Sequence, residues 1–108
     1  MSFTLKSRQE ITKTLKRAFS VCKYPELEIR VAPIGLPGRL LLIIPKRVGN
    51  APQRNRIRRR LKAIFVENKL FELPYNWVFF IKPGIQKWTF VHMKEVILVC
   101  ATKLLAST

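Results

Sequence analysis

Aspartate is absent from this sequence, and its only acids are Glu10, Glu26, Glu28, Glu67, Glu72 and Glu95, spread through 108 residues. A hard-cation cage or a two-metal nuclease centre needs clustered carboxylates, which the chain scarcely has the residues to build. Histidine occurs once, at His92. Neither a metal cluster nor an acid-base pair with its orienting partner is made from one imidazole, so the reading of His92 is a surface or helix-edge residue. No catalytic residue and no metal ligand is assigned. Cysteine occurs twice, at Cys22 and Cys100, with no CxxC pair. That usage is read as two buried thiols in a reduced, cytoplasmic setting. Long apolar runs are also missing, since 40–44 and 96–101 fall far short of the ~20 residues that span a bilayer. Residues 1–16 are polar and interrupted, so no signal peptide is expected.

What the chain has in excess is positive charge. Lys and Arg number 21 against six acids, a formal net charge of +15. Self-repulsion of that size opposes folding, and a polyanionic partner is the physical reason to keep it. Hydrophobic residues at 48% still suffice for a packed core, and the length fits one domain over 1–108.

Local patterns give an order of elements. Ser7-Arg8-Gln9-Glu10 reads as a capping box, and Ile11, Leu15, Ala18 and Phe19 keep helical spacing, predicting a helix over 8–20 ended by Tyr24-Pro25. Leu27, Ile29 and Val31 alternate with Glu28 and Arg30 in a half-buried strand. Residues 39–44 form a solid apolar run, expected as a strand covered on both faces. Asn50-Ala51-Pro52-Gln53 starts a second helix, with Ile57, Leu61, Ile64 and Phe65 facing the core and an end near Asn68. Residues 76–82 read as a strand, with Trp77, Phe79 and Phe80 mostly core, and Thr89 caps a last helix. The result is an α/β (α+β) two-layer sandwich in the order α-β-β-α-β-α: three helices on a small mixed sheet of three to four strands.

The densest feature is Arg54-Asn55-Arg56-Ile57-Arg58-Arg59-Arg60-Leu61-Lys62, with six cations in nine residues and no acid from 29 to 66. Arg54 and Arg58 border the apolar stripe, while Arg59, Arg56 and Arg60 point progressively away. A helix that needs only solubility mixes signs. One with cations over most of its exposed circumference suits a phosphate backbone met from two sides. The stripe alone does not separate DNA from RNA.

The stretch Pro45-Lys46-Arg47-Val48-Gly49-Asn50-Ala51-Pro52-Gln53-Arg54-Asn55-Arg56-Ile57-Arg58-Arg59 resembles the signature of the bacterial ribonuclease P protein component: a strand ending in paired basic residues, a glycine, then an Arg-Asn-Arg helix start. The resemblance implies the protein subunit of a ribonucleoprotein that removes 5′ leaders from precursor tRNA. Hydrolysis and its Mg²⁺ then belong to the RNA subunit and substrate. It also implies a left-handed βαβ crossover, against the usual hand. By position it places Lys46, Arg47, Arg54, Asn55, Arg56 and Arg59 on the catalytic RNA, and Arg60 shares that RNA-binding helix. Arg58 and Lys62 match positions beside the single-stranded leader. The family's first-helix phenylalanines are matched here by Ile11 and Leu15, and Arg30 stands near the cleft's strand aromatic, so the leader cleft is assigned Ile11, Leu15, Arg30, Arg58 and Lys62. With less aromatic surface, charge does more of the leader binding. A ribosomal or other structural RNA-binding protein is the alternative from another class. A stand-alone nuclease is a third, opposed by the missing aspartates and the single histidine.

Overall fold

The computed structural model describes residues 3–106. Ser7 caps the first helix, α1 (Arg8–Arg17), by accepting the Glu10 N–H at 3.5 Å. The chain then turns extended at Ala18 and runs directly into strand β1 (Phe19–Lys23). Strands β2 (Leu27–Ala32) and β3 (Leu40–Ile43) follow, then α2 (Ala51–Glu67), β4 (Asn76–Ile81) and α3 (Phe90–Ala106). Short 3-10 turns at Lys46–Val48, Leu70–Glu72 and Ile85–Lys87 join them. The order agrees with the sequence reading, with β1 as a fourth strand where a helix end was expected. Ala18 and Phe19 continue the apolar spacing of α1, but Phe19 is 48% exposed and pairs with Val31 instead. Tyr24-Pro25 therefore turns a hairpin rather than ending a helix.

The sheet order is β1-β2-β4-β3. β2 runs antiparallel to both β1 and β4, whereas β3 is parallel to β4, so β3-α2-β4 is a βαβ unit on adjacent strands. The pleat sorts side chains onto two faces. Leu27, Ile29, Val31, Leu40, Trp77, Phe79 and Ile81 point to one and are buried there, in one cluster with Ile57, Leu61, Ile64 and Phe65 of α2 and Met93, Ile97, Cys100 and Leu104 of α3. Large aromatics such as Trp77 and Phe65, both fully buried, supply much of this layer's hydrophobic stabilisation.

The other face carries Glu28, Arg30, Asn76, Val78 and Phe80, with Leu41 and Ile43 alongside through the β3/β4 register. α1 covers one end of it. Asn76 fixes that placement: its Nδ2 donates to the buried Thr14 hydroxyl at 3.0 Å, and its Oδ1 accepts the Arg39 N–H at 3.0 Å. The rest of the face stays open, so the expectation that 39–44 is covered on both faces is corrected. Leu41, Leu42, Ile43 and Ile44 are all half-buried, because β3 has one layer of helices beneath it and little above.

The cysteines are also not free thiols. Cys22 of β1 and Cys100 of α3 form a disulfide with Cα atoms 6.2 Å apart, which corrects the reading of a reduced pair. Their burial was anticipated, but their proximity follows from β1, which lays Cys22 on the helix-covered face against α3. No described helix is long and apolar enough to cross a membrane.

Candidate nucleic-acid interface

The cationic helix α2 starts on a complete capping box. Asn50 Oδ1 accepts the Gln53 N–H at 2.9 Å, and Gln53 Oε1 accepts the Asn50 N–H at 2.9 Å. A β-carbon on Gly49 would collide with Gln53 Oε1, so glycine there leaves room for the reciprocal bond. Pro52, in the first turn, gives up an N–H that a helix start leaves unpaired anyway. The helix start is thus fixed by its own sequence, and with it the direction of each arginine.

Ile57, Leu61, Ile64 and Phe65 are buried, as their spacing predicts. Asn55, Arg56, Arg59 and Lys62 are exposed, and Arg54 and Arg58 are half-buried at the margin of the stripe. Arg60 departs from the reading: it is half-buried, because at 100° per residue it returns to the opposite margin. Asn55, Arg56, Arg58, Arg59 and Lys62 line one concave surface with Pro52. Within it Arg58 Nη1 donates to Asn55 Oδ1 at 2.8 Å. Arg54 packs its stem inward, leaving its buried Nε without a protein acceptor. Among the described residues no ion pair neutralises these cations. Lys46 and Arg47 are exposed on the 3-10 turn leading into α2. Gln86 Nε2 donates to the Val48 carbonyl, and Gln86 Oε1 accepts the Gly84 N–H at 3.0 Å. That tie carries the exposed Lys87 to the same turn. Sequence reasoning missed Lys87, because no local spacing links segments 38 residues apart.

The residues expected in a leader cleft divide between the two layers. Arg58 and Lys62 sit in the α2 concavity, and α2 packs on the covered face. Ile11 is half-buried and Leu15 is 38% exposed on α1, which lies over the open face that carries Arg30. Arg30 stands with its guanidinium carbon 5.3 Å from the Phe80 ring centroid, and its Nε donates to Glu28 Oε2 at 2.9 Å. That hydrogen bond holds the Glu28 carboxyl below the ordinary carboxylate range, against burial, which pushes it up. The β1/β2 register adds Ser20 beside Arg30 and Lys23 beside Glu28. Composition alone groups Phe80 with Trp77 and Phe79 as core. The signal that separates it is strand parity: Trp77 and Phe79 are fully buried, whereas Phe80 looks the other way and is half-exposed. His92 is exposed on the first turn of α3, where its N–H is capped by Thr89 Oγ1 at 3.0 Å.

Fold and surface together define a class: a small α+β sandwich whose βαβ crossover helix is an uncompensated cationic surface, with a half-open sheet face on the other layer. Comparison with known proteins narrows it. The Ribonuclease P family model matches residues 2–105, and the chain belongs to that family. The RNase P protein of Staphylococcus aureus superposes with a TM-score of 0.78 at 17% identity, covering 94% of each chain. The RNase P protein of Thermotoga maritima superposes with a TM-score of 0.74 at 20% identity, covering 88% of this chain and 91% of that one. Comparison with curated protein sequences yields no match. Membership places the chain in the context of ribonuclease P and tRNA processing, as the protein part of a ribonucleoprotein.

Proposed function

We propose that this chain binds the catalytic RNA of ribonuclease P through α2 and its leading turn, and takes the single-stranded 5′ leader of precursor tRNA toward the open sheet face. The observation that carries the reading is the cationic surface of Lys46 and Arg47 on the leading turn and of Arg54, Arg56, Arg59 and Arg60, with Asn55 among them, on a helix whose start is fixed by its capping box; none of these cations is in an ion pair among the described residues. Arginine forks match phosphate oxygens in pairs. Arg58 and Lys62 are proposed to border the leader, with Ile11, Leu15 and Arg30 on the other layer.

In this reading leader removal is hydrolytic and the chain holds no reacting group. Mg²⁺, bound elsewhere in the complex, would supply charge neutralisation and an activated water. The residues present do not fit a protein-held site for it: among the described residues no three His, Cys, Asp or Glu side chains are grouped to ligate a metal. The reading leaves Mg²⁺ to the RNA subunit and its substrate. A ribozyme and a precursor tRNA repel one another, and a +15 protein between them lowers that repulsion, so less Mg²⁺ suffices. The binding test is a filter titration of this chain against a ribonuclease P RNA and, in parallel, against a ribosomal RNA fragment of equal length. Preference for the former by about tenfold or more at ~0.15 M salt is expected. Equal binding returns the chain to a general basic RNA-binding protein.

A further inference from the structure

An acid in a surface meant for polyanions needs a reason. Glu28 is 7% exposed on the open sheet face of a +15 chain, and simple electrostatics makes it a liability there. Its geometry says otherwise. Glu28 and Arg30 are two apart on β2, so both point to the open face, and Glu28 lies across from Phe80. Arg30 reaches diagonally to that ring, 5.3 Å from its centroid, while its Nε is held by Glu28 at 2.9 Å. A guanidinium has five donors in one plane. Here one is spent on Glu28 and the plane is backed by an aromatic ring. The four N–H groups of Nη1 and Nη2 have no partner among the described residues, and the side chain is 41% accessible.

We propose that Arg30, held against Phe80 by Glu28, is a preorganised site for one phosphodiester of single-stranded RNA. Glu28 is the positioning residue that gives the site its affinity. The inference rests on the reading of this face as the leader's path. It goes further in saying what the face recognises: backbone charge, through a fixed fork, where Ile11 and Leu15 offer no aromatic surface for bases. Ordering Arg30 before the strand arrives removes most of the rotamer entropy that binding would otherwise have to overcome.

The test turns on a sign. The full chain, without catalytic RNA, is titrated by fluorescence anisotropy with a 2′-O-methyl RNA strand of about ten nucleotides and with its methylphosphonate counterpart. Contributions of α2 are common to all variants and cancel in the ratios. Replacing Glu28 by leucine removes a negative charge. If Glu28 is only a counter-charge, Glu28→Leu binds the strand more tightly. If it positions Arg30, Glu28→Leu binds about three- to tenfold more weakly, and Glu28→Gln, which keeps an oxygen for Nε, recovers part of the loss. Arg30→Lys, at a half-buried position outside the hydrophobic core, is expected to lose about as much, to flatten the salt dependence by less than one contact of about 0.7, and to make Glu28→Gln silent in the double variant. With the neutral strand all these differences should vanish. Tighter binding by Glu28→Leu, a Glu28→Gln loss that persists without Arg30, or an Arg30 effect that survives on the neutral backbone each overturns the proposal. Should Glu28→Leu not fold, the Glu28→Gln and Arg30→Lys cycle decides alone. Failure here with intact stimulation of precursor cleavage leaves the subunit reading standing, and no stimulation removes that reading whatever this titration gives.

Discussion

Removing Arg56 and Arg59 together should weaken binding to catalytic RNA in a way that salt abolishes. Both are exposed in the α2 concavity, in no ion pair, and away from the buried stripe of Ile57 and Leu61, so their loss leaves the core intact. Each phosphate contact contributes about 0.9 to the slope of log K against log salt. At ~0.15 M salt one contact is therefore worth about 1 kcal/mol through counterion release. Arg56→Ala/Arg59→Ala should bind about 30-fold more weakly than the parent there, with a slope shallower by about 1.8. Near 1 M salt the two lines should converge, because released counterions then gain little entropy. For the parent, about six engaged phosphates at the same 0.9 each give a slope of about −5.4. Filter binding to a folded ribonuclease P RNA between 0.1 and 1 M salt measures all of this, with thermal melts to show that both proteins are equally stable. Parallel lines, or a deficit that persists at 1 M, would refute the counterion argument and point to hydrogen bonding or to a disturbed helix.

Other expectations follow from the fold. Reduction of Cys22–Cys100, or Cys22→Ser, frees a link across 78 residues and should cost about 4.5 kcal/mol by loop entropy, read as a lower denaturant midpoint in reductant; an unchanged midpoint would mean that the bridge constrains nothing in the unfolded chain. Asn76→Ala leaves the buried Thr14 hydroxyl and the Arg39 N–H without their partner and should cost roughly 1–3 kcal/mol, together with increased hydrogen exchange in α1; α1 amides as protected as in the parent would show that Asn76 is not what seats the helix. Glu28 is held below its ordinary value in the folded chain, so its contribution is complete above the unfolded carboxylate pKa, near 4.5, and is lost as pH falls through the lowered folded value. Glu28→Gln should therefore melt below the parent at neutral pH, with the gap closing in acid, and a gap independent of pH would exclude the ion pair as its source.

Much of this was legible from local chemistry. Asn50, Pro52 and Gln53 specify a helix start that depends on no other part of the chain, which is why the placement of α2 and the outward direction of Arg56 and Arg59 followed from spacing. Thr89 did the same for α3. What failed to show was tertiary in origin. Phe19 continued a helical repeat that the backbone had already left at Ala18, because pairing with Val31 outweighs one more turn of an exposed helix. Missing β1 then hid the partner of Cys100. The run at 39–44 looked like a doubly covered strand, since composition does not record that one face of the sheet is left half-open. Phe80 and Glu28 could have been drawn out by parity alone, whereas the Gln86 tie that brings Lys87 to Lys46 and Arg47 has no local signature.

The most direct measurement is multiple-turnover cleavage of a precursor tRNA by the cognate ribonuclease P RNA at low Mg²⁺, with and without this chain. The account predicts protein-dependent cleavage at the mature 5′ end and none from the chain alone. No stimulation by demonstrably folded protein, or cleavage by the chain without RNA, would contradict it.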